Sequence, residues 1–292
     1  MGKKNYNNND LNIILSGKRK RNGVIVQGLI NHDIQHLSAS SINTWINSQT
    51  AFVSKYLFKK DFAVGFSALR GNAVERSISH YLKNLKNNNV FDESLEIGIE
   101  YFRNNVFLSS DELENEEIII RKMLEQCEIS FFDFFKKINF DPNKNDQMKH
   151  QSFQEKYLKL KNNQKVLIKG FSDFFICEGE KIVIDLKTTL RCPSVMSQSH
   201  KIQASIYKWL FDANVFFIYV TNKKNIVINL TQSDYFEHME LVKNTSENIN
   251  NFLSLTKNKN LLFASSVHDP SNFFWKENLD IYNQINLTIE RE

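Results

Sequence analysis

The chain has 292 residues, a formal net charge of +4 and 41% hydrophobic residues, enough for a sizeable core in one large domain or two small ones. The mild basicity (pI ≈ 8.7) is compatible with nucleic acid. Three widely separated cysteines, Cys127, Cys177 and Cys192, exclude a disulfide framework, and no apolar run approaches the ~20 residues of a membrane span.

Residues 1–10 are polar, with no apolar core behind them, so neither a signal peptide nor fixed structure is expected there. Leu11–Leu15 and Val24–Ile30 are apolar runs around Gly17-Lys18-Arg19-Lys20-Arg21-Asn22-Gly23, which predicts a hairpin with a basic tip. The tip reads equally well as a phosphate contact and as a solvated loop. Ser38, Ser40 or Ser41 can cap a helix to about Phe58, with Trp45, Ile46, Phe52, Val53 and Tyr56 on its apolar side. A helix from about Arg70 to Lys86 carries Val74, Ile78, Tyr81, Leu82 and Leu85 in one stripe, with Glu75 at its edge. Residues 92–138 predict two more helices. Their core positions are Leu95, Ile99, Phe102, Ile118–Ile120, Leu124, Phe131, Phe132 and Phe135. Asp141–Asp146 reads as a loop bordering this helical part.

Strands are predicted over 152–160, 165–177 and 180–188. Side chains alternate across a strand, so Ile182, Ile184 and Leu186 take one face and Val183, Asp185 and Lys187 the other. Asp185 and Lys187 then project side by side, roughly 6.6 Å apart at about 3.3 Å per residue. Asp173 lies on the preceding strand, with Cys177-Glu178-Gly179-Glu180 as the turn, and can share an end of the sheet with Asp185. Two carboxylates at one point attract a hard divalent cation, and a lysine beside them completes a kit for metal-assisted phosphodiester hydrolysis. A solvated Asp-x-Lys is the plain alternative, but charges set among Phe171, Phe174, Phe175 and Ile182–Ile184 need a partner or a metal.

A helix follows over 196–212. His200, Gln203 and Tyr207 fall within about 60° of one another on it, and Ile202, Ile206 and Trp209 centre on a separate face. Strands 214–221 and 225–230 come next, and Thr231-Gln232-Ser233-Asp234 has the capping-box form that starts a helix to about Lys257. No Walker loop, dinucleotide fingerprint or zinc-ligand spacing is present.

Four stretches, in order, resemble the PD-(D/E)XK nuclease superfamily. Within it the likeness is to the RecB-type exonucleases, which include the CRISPR-associated four-cysteine exonucleases and, more distantly, the lambda-type phage exonuclease. They are Leu37–Trp45, Arg70–Glu75, Asp173 with Asp185-Leu186-Lys187, and Gln203–Tyr207, together spanning roughly residues 37–210. The resemblance implies an α/β fold: a restriction-endonuclease-like core, a mixed central sheet flanked by helices, with an N-terminal helical part. The divisions expected are 1–37 (extension with basic hairpin), 38–150 (helical part with Glu75), 151–257 (nuclease core) and 258–292 (tail). The function implied is a Mg²⁺- or Mn²⁺-dependent exonuclease on DNA ends, of phage type, in recombination, repair or degradation. An endonuclease of the same fold and a non-catalytic DNA-binding module are the alternatives.

By the same resemblance Glu75, Asp173, Asp185 and the Leu186 carbonyl hold metal, and Lys187 positions and activates the attacking water. Gln203, Tyr207, Ser40 and Arg70 support substrate. Glu155 occupies a position often acidic in relatives, and is read as pairing with a lysine in preference to joining a second metal. The chain departs from the four-cysteine branch at Ser48-Gln49, where relatives carry cysteine and proline, and in its tail, which holds no cysteine. With three thiols a four-thiolate iron–sulfur cluster within one chain is excluded by count. Tail aromatics such as Phe273, Phe274 and Trp275 are expected to do the tethering. The implied partners are DNA ends, a recombination or single-strand-binding protein, and a second copy of the chain; no membrane is expected. The implied location is the cytoplasm, the host's if the protein is viral.

Overall fold

The structure, a computed structural model, describes residues 24–143, 147–177, 179–269, 271–272, 274–275 and 278–289. The basic hairpin tip and Phe273 lie outside the described residues. Val24–Ile30 is not the single strand expected. Only Val24–Ile25 pairs, as β1, and Gln27–Asn31 coils into helix α1. Helical spacing lets Val26 and Leu29 bury together, and Gly28 sits close enough to donate its N–H to Asn250 Oδ1 at 2.9 Å.

Two helices follow, α2 (Ala39–Asn47) and α3 (Gln49–Tyr56), where one was expected. Ser48 divides them. Its backbone is extended, which closes α2, and its hydroxyl accepts the Ala51 N–H, which opens α3. Helices α4 (Phe66–Lys83), α5 (Val90–Arg103) and α6 (Ser110–Lys137) complete the N-terminal half. On α6, Phe131, Phe134 and Phe135 are buried, an i, i+3, i+4 set, whereas Phe132 and Ile118 fall off that stripe and are exposed. The expected burial of Phe132 and Ile118 is therefore corrected, with Phe134 taking the core position.

The sheet then forms from β2 (Met148–Lys159), β3 (Gln164–Ile176), β4 (Ile182–Thr188), β5 (Asn214–Val220) and β6 (Asn225–Asn229). Helix α7 (Gln198–Phe211) joins β4 to β5. The helices α8 (Gln232–Ser254), α9 (Lys259–Ser265) and α10 (Leu279–Ile289) follow β6. The six strands make one mixed sheet in the order β1-β3-β4-β5-β6, with β2 also paired to β3. β4 and β5 are parallel, so a crossover is obligatory, and α7 supplies it. A mixed central sheet flanked by helices is the fold expected from the sequence.

The sheet separates two cores. Val74, Ile78, Leu124, Phe131 and Phe135 of α4 and α6 pack on Phe174, Ile184 and Leu186. Ile42, Phe52, Ile206, Leu210 and Ile249 of α2, α3, α7 and α8 pack with Val183, Val215 and Phe217. β4 thus feeds alternate residues into opposite cores, as its period-2 pattern predicts. The N-terminal helices are shared between the two cores, α2 and α3 on one side and α4 to α6 on the other. In the tail Trp275 is fully buried, 5.6 Å from Phe62 between ring centroids, and Phe274 also packs on Phe62. No helix among the described residues is long and apolar enough to cross a membrane.

Candidate active site

The register of β3 on β4 puts the site together. The two strands pair only at Phe174↔Ile184, Phe175↔Val183 and Ile176↔Ile182. The next rung would be Asp173 opposite Asp185, and there the ladder ends. Two adjacent carboxylates in a closed ladder would repel. Asp173 instead turns its carboxylate to the freed backbone, and Oδ2 accepts the Leu186 N–H at 2.8 Å.

Asp185 is 1% exposed. Lys187, on the same face of β4, brings Nζ to 2.5 Å from Asp185 Oδ2. From α7, Gln203 donates to Asp185 Oδ1 at 3.0 Å and to the Tyr207 hydroxyl oxygen at 2.9 Å. The Tyr207 hydroxyl in turn donates to the Phe171 carbonyl at 2.5 Å. One turn of helix separates Gln203 and Tyr207, so both reach the strands from one face. Gly170 makes this approach possible. A Cβ there would meet Leu210 Cδ1 at 2.7 Å and the Tyr207 ring at 3.2 Å.

Glu75 arrives from the other helical layer. Gly71 sits at the end of β4, where a Cβ would lie 2.9 Å from Thr188 Oγ1, and Glu75 follows one turn later on α4. Its carboxylate accepts a hydrogen bond from the Gln151 amide. Gln151 has no counterpart among the residues anticipated from the sequence. It lies in register opposite Asp173, between the pairs His150↔Phe174 and Ser152↔Ser172, with a left-handed φ of 52° inside the strand. No motif marks it; only the strand register would have pointed to it.

The electrostatics follow from crowding. Burial first, then Asp185 and Glu75, hold the Asp173 carboxyl well above the usual carboxylate range. Glu75 is pushed up by burial and by Asp185, and Asp185 by burial, against the pull of Lys187. Burial alone would lower Lys187, but Asp185, Asp173 and Glu75 outweigh it and hold the ammonium charged. His200 is pushed down to about 4 by burial and by Lys187, and is neutral near pH 7; its Nδ1 meets the Tyr219 hydroxyl at 2.8 Å.

Ser40 and Arg70 are not brought to this cluster. Ser40 is exposed on the first turn of α2. Arg70 is buried and bound bidentately to Glu116 at 2.6 and 2.9 Å. Glu155 pairs with Lys169 at 3.3 Å, as its lysine-paired reading anticipates.

Three carboxyl groups crowd one ammonium in a largely desolvated place, and each is raised by that crowding or by burial. The buried Asp185 Oδ2 is met by the Lys187 ammonium, and Oδ1 by Gln203. An all-oxygen donor set so crowded fits a hard divalent cation. The three carboxylates do not all close to within 4.8 Å of one another. Among the described residues only Asp234, Glu237 and His238 on α8 do so. Two of those groups are otherwise engaged: Asp234 binds Lys201 at 2.7 Å and Thr231 at 2.8 Å, and His238 Nδ1 lies 2.8 Å from the Asp234 carbonyl. The mutual crowding of buried carboxylates, which a bound cation would relieve, therefore favours the cluster around Asp185.

No family model matches the chain, and no curated protein matches it. Among solved structures it is similar to an Eubacterium rectale protein named as a candidate exonuclease. The identity is 13%, the TM-score 0.54, and the match covers 86% of this chain and 90% of that one. That likeness establishes a shared fold. The solved structure of SSO0001 is 16% identical over 70% of this chain and 95% of its own, but its TM-score of 0.34 carries no weight.

Proposed function

We propose that the protein is a divalent-metal-dependent deoxyribonuclease that hydrolyses phosphodiester bonds at DNA ends. The observation that carries this reading is the meeting of Asp173, Asp185 and Lys187 where β3 and β4 part, with Glu75 delivered from α4. The fold shared with a protein named as a candidate exonuclease adds support, and the preference for ends rests on that name and on the family resemblance.

Asp173, Asp185 and Glu75 would hold Mg²⁺ or Mn²⁺, with the Leu186 carbonyl as a further oxygen. Bound there, the ion would supply Lewis acidity towards the phosphate and acidify a water molecule. The chain's own groups do the rest. Lys187, held charged by the carboxylates, offers a donor to the attacking water or to a phosphate oxygen as negative charge develops. Gln203 fixes one oxygen of Asp185 and so aims the other at the site. Tyr207 anchors Gln203 to the β3 backbone, and Gln151 orients Glu75.

End-labelled single- and double-stranded DNA, digested beside a closed circle in Mg²⁺, Mn²⁺ or EDTA, tests the proposal. Loss of label from linear DNA in Mg²⁺ or Mn²⁺, with the circle intact, is the expected result. A nicked or linearised circle would reveal an endonuclease instead, and intact DNA under all conditions would overturn the proposal.

A further inference from the structure

Beyond Gln151, the ribbon of β2 and β3 has a face that the described helices leave open. Residues 153, 155 and 157 of β2 and 167, 169 and 171 of β3 share it. Phe153 stands opposite Phe171, Glu155 opposite Lys169, and Tyr157 opposite Leu167. The even-numbered Val166 and Ile168 are buried in the core, and Gly170 lies against α7. The open face carries three aromatic rings that a folded core would ordinarily take in: Phe153, Tyr157 and Phe171 are 42, 47 and 56% exposed.

The rings are organised together with lysines. Phe153 and Phe171 lie 4.9 Å apart between centroids. Lys169 Nζ is 5.7 Å from the Phe153 ring, and Lys165 Nζ is 4.5 Å from the Tyr157 ring. The Phe153/Phe171 rung is two residues along from Gln151 and Asp173, about 7 Å at 3.4 Å per residue. That is about two stacked base steps. Aromatic platforms interleaved with lysine bind single strands, because an unpaired base offers its π-face to a ring whereas a paired base does not.

We infer that this ribbon face stacks unpaired bases of a DNA strand beside the scissile phosphate, so that the substrate reaches the carboxylates as a single strand or a frayed end. Continuity with Gln151 and Glu75, and Lys165 beside the Tyr157 ring, favour this occupant over a second copy pairing along β2. The inference rests on the nuclease reading and names the strand form that the site takes.

The test is binding by the full chain in Ca²⁺ of three labelled probes: a 12-nucleotide single strand, an abasic strand of the same length and a blunt duplex. Wild type should bind the base-bearing strand at least about tenfold more tightly than the abasic one. The double variant Phe153→Ala/Phe171→Ala should lose that preference while binding the abasic strand unchanged. Phe153→Tyr/Phe171→Tyr should restore it. Both rings are exposed, so the substitutions remove little core packing. Equal binding of both strands by wild type, or a preference that survives the double variant, would overturn the inference. So would a double variant that turns an oligomer into a monomer and leaves binding unaltered. The two readings fail separately. Wild type that cuts DNA but ignores the bases sinks this inference alone, whereas wild type that leaves end-labelled DNA uncut in Mg²⁺ and Mn²⁺ sinks the nuclease reading.

Discussion

Lys187→Met removes the ammonium from the carboxylate cluster while keeping the length of the side chain. Removing one partner of a buried ion pair costs about 3–5 kcal/mol. Lys187 keeps 25% side-chain exposure, so solvent screening reduces the expected loss to about 2 kcal/mol. For a domain of this size that lowers Tm by about 4–8 °C at neutral pH. The pH dependence has a definite sign. Glu75, Asp173 and Asp185 have raised folded values, so their contribution to stability is most favourable below about pH 4 and is lost as pH rises through those values. Lys187 opposes that shift at each of the three. Without it the folded values rise further, and stability falls more steeply between about pH 4 and neutrality. The deficit should therefore be small near pH 4 and largest near pH 7.5, in metal-free protein followed by thermal melts. Mg²⁺ at ten times its dissociation constant should restore about 1.4 kcal/mol. A Tm loss that is equal at both pH values would refute the argument that Lys187 balances the carboxylates.

Asp185→Asn should act in the opposite sense: metal-free protein at neutral pH should melt at or above the wild-type temperature, and calorimetric titration with Mg²⁺ should show binding lost. Unchanged Mg²⁺ binding would remove Asp185 from the ligand set. Glu75→Gln should lower cleavage by at least about 10²-fold with little change in Tm, since the half-buried amide keeps a partner for Gln151; cleavage near the wild-type rate would make Glu75 a surface residue. Gly170→Ala forces a Cβ against Leu210 and Tyr207, so it should cost about 1–3 kcal/mol and also lower cleavage, because Gln203 moves with α7. Purified protein should hold no iron and show no visible charge-transfer band; stoichiometric iron and sulfide would overturn the cysteine count as an argument.

The sheet strands and α7 were legible because β4 sits between two cores and each face keeps its own apolar set, so period 2 survives intact. The meeting of Asp173, Asp185 and Lys187 was legible for a related reason: charges among buried neighbours need partners, and the strand period says which ones meet. Gln203 and Tyr207, expected to support substrate, instead bond Asp185 and the Phe171 carbonyl. Gln151 was not legible. Its role depends on the pairing of β2 with β3 and on a left-handed backbone that neither composition nor spacing announces. For Arg70 a motif gives the residue's type and not its partner, and Glu116, 46 positions away, pairs with it. Ser48 misled because one residue ends a helix with its extended backbone and begins the next with its hydroxyl, which looks in sequence like uninterrupted amphipathic spacing.

The proposed activity has the cluster around Asp185 cut DNA with a divalent metal. Single-turnover cleavage of an end-labelled oligonucleotide, by wild type and Asp185→Asn purified side by side, tests it most directly. Wild type should cut in Mg²⁺ or Mn²⁺ and stop in EDTA, and Asp185→Asn should be slower by at least about 10²-fold under the same conditions. Cleavage by Asp185→Asn at the wild-type rate, or none by wild type, would overturn that role for the cluster.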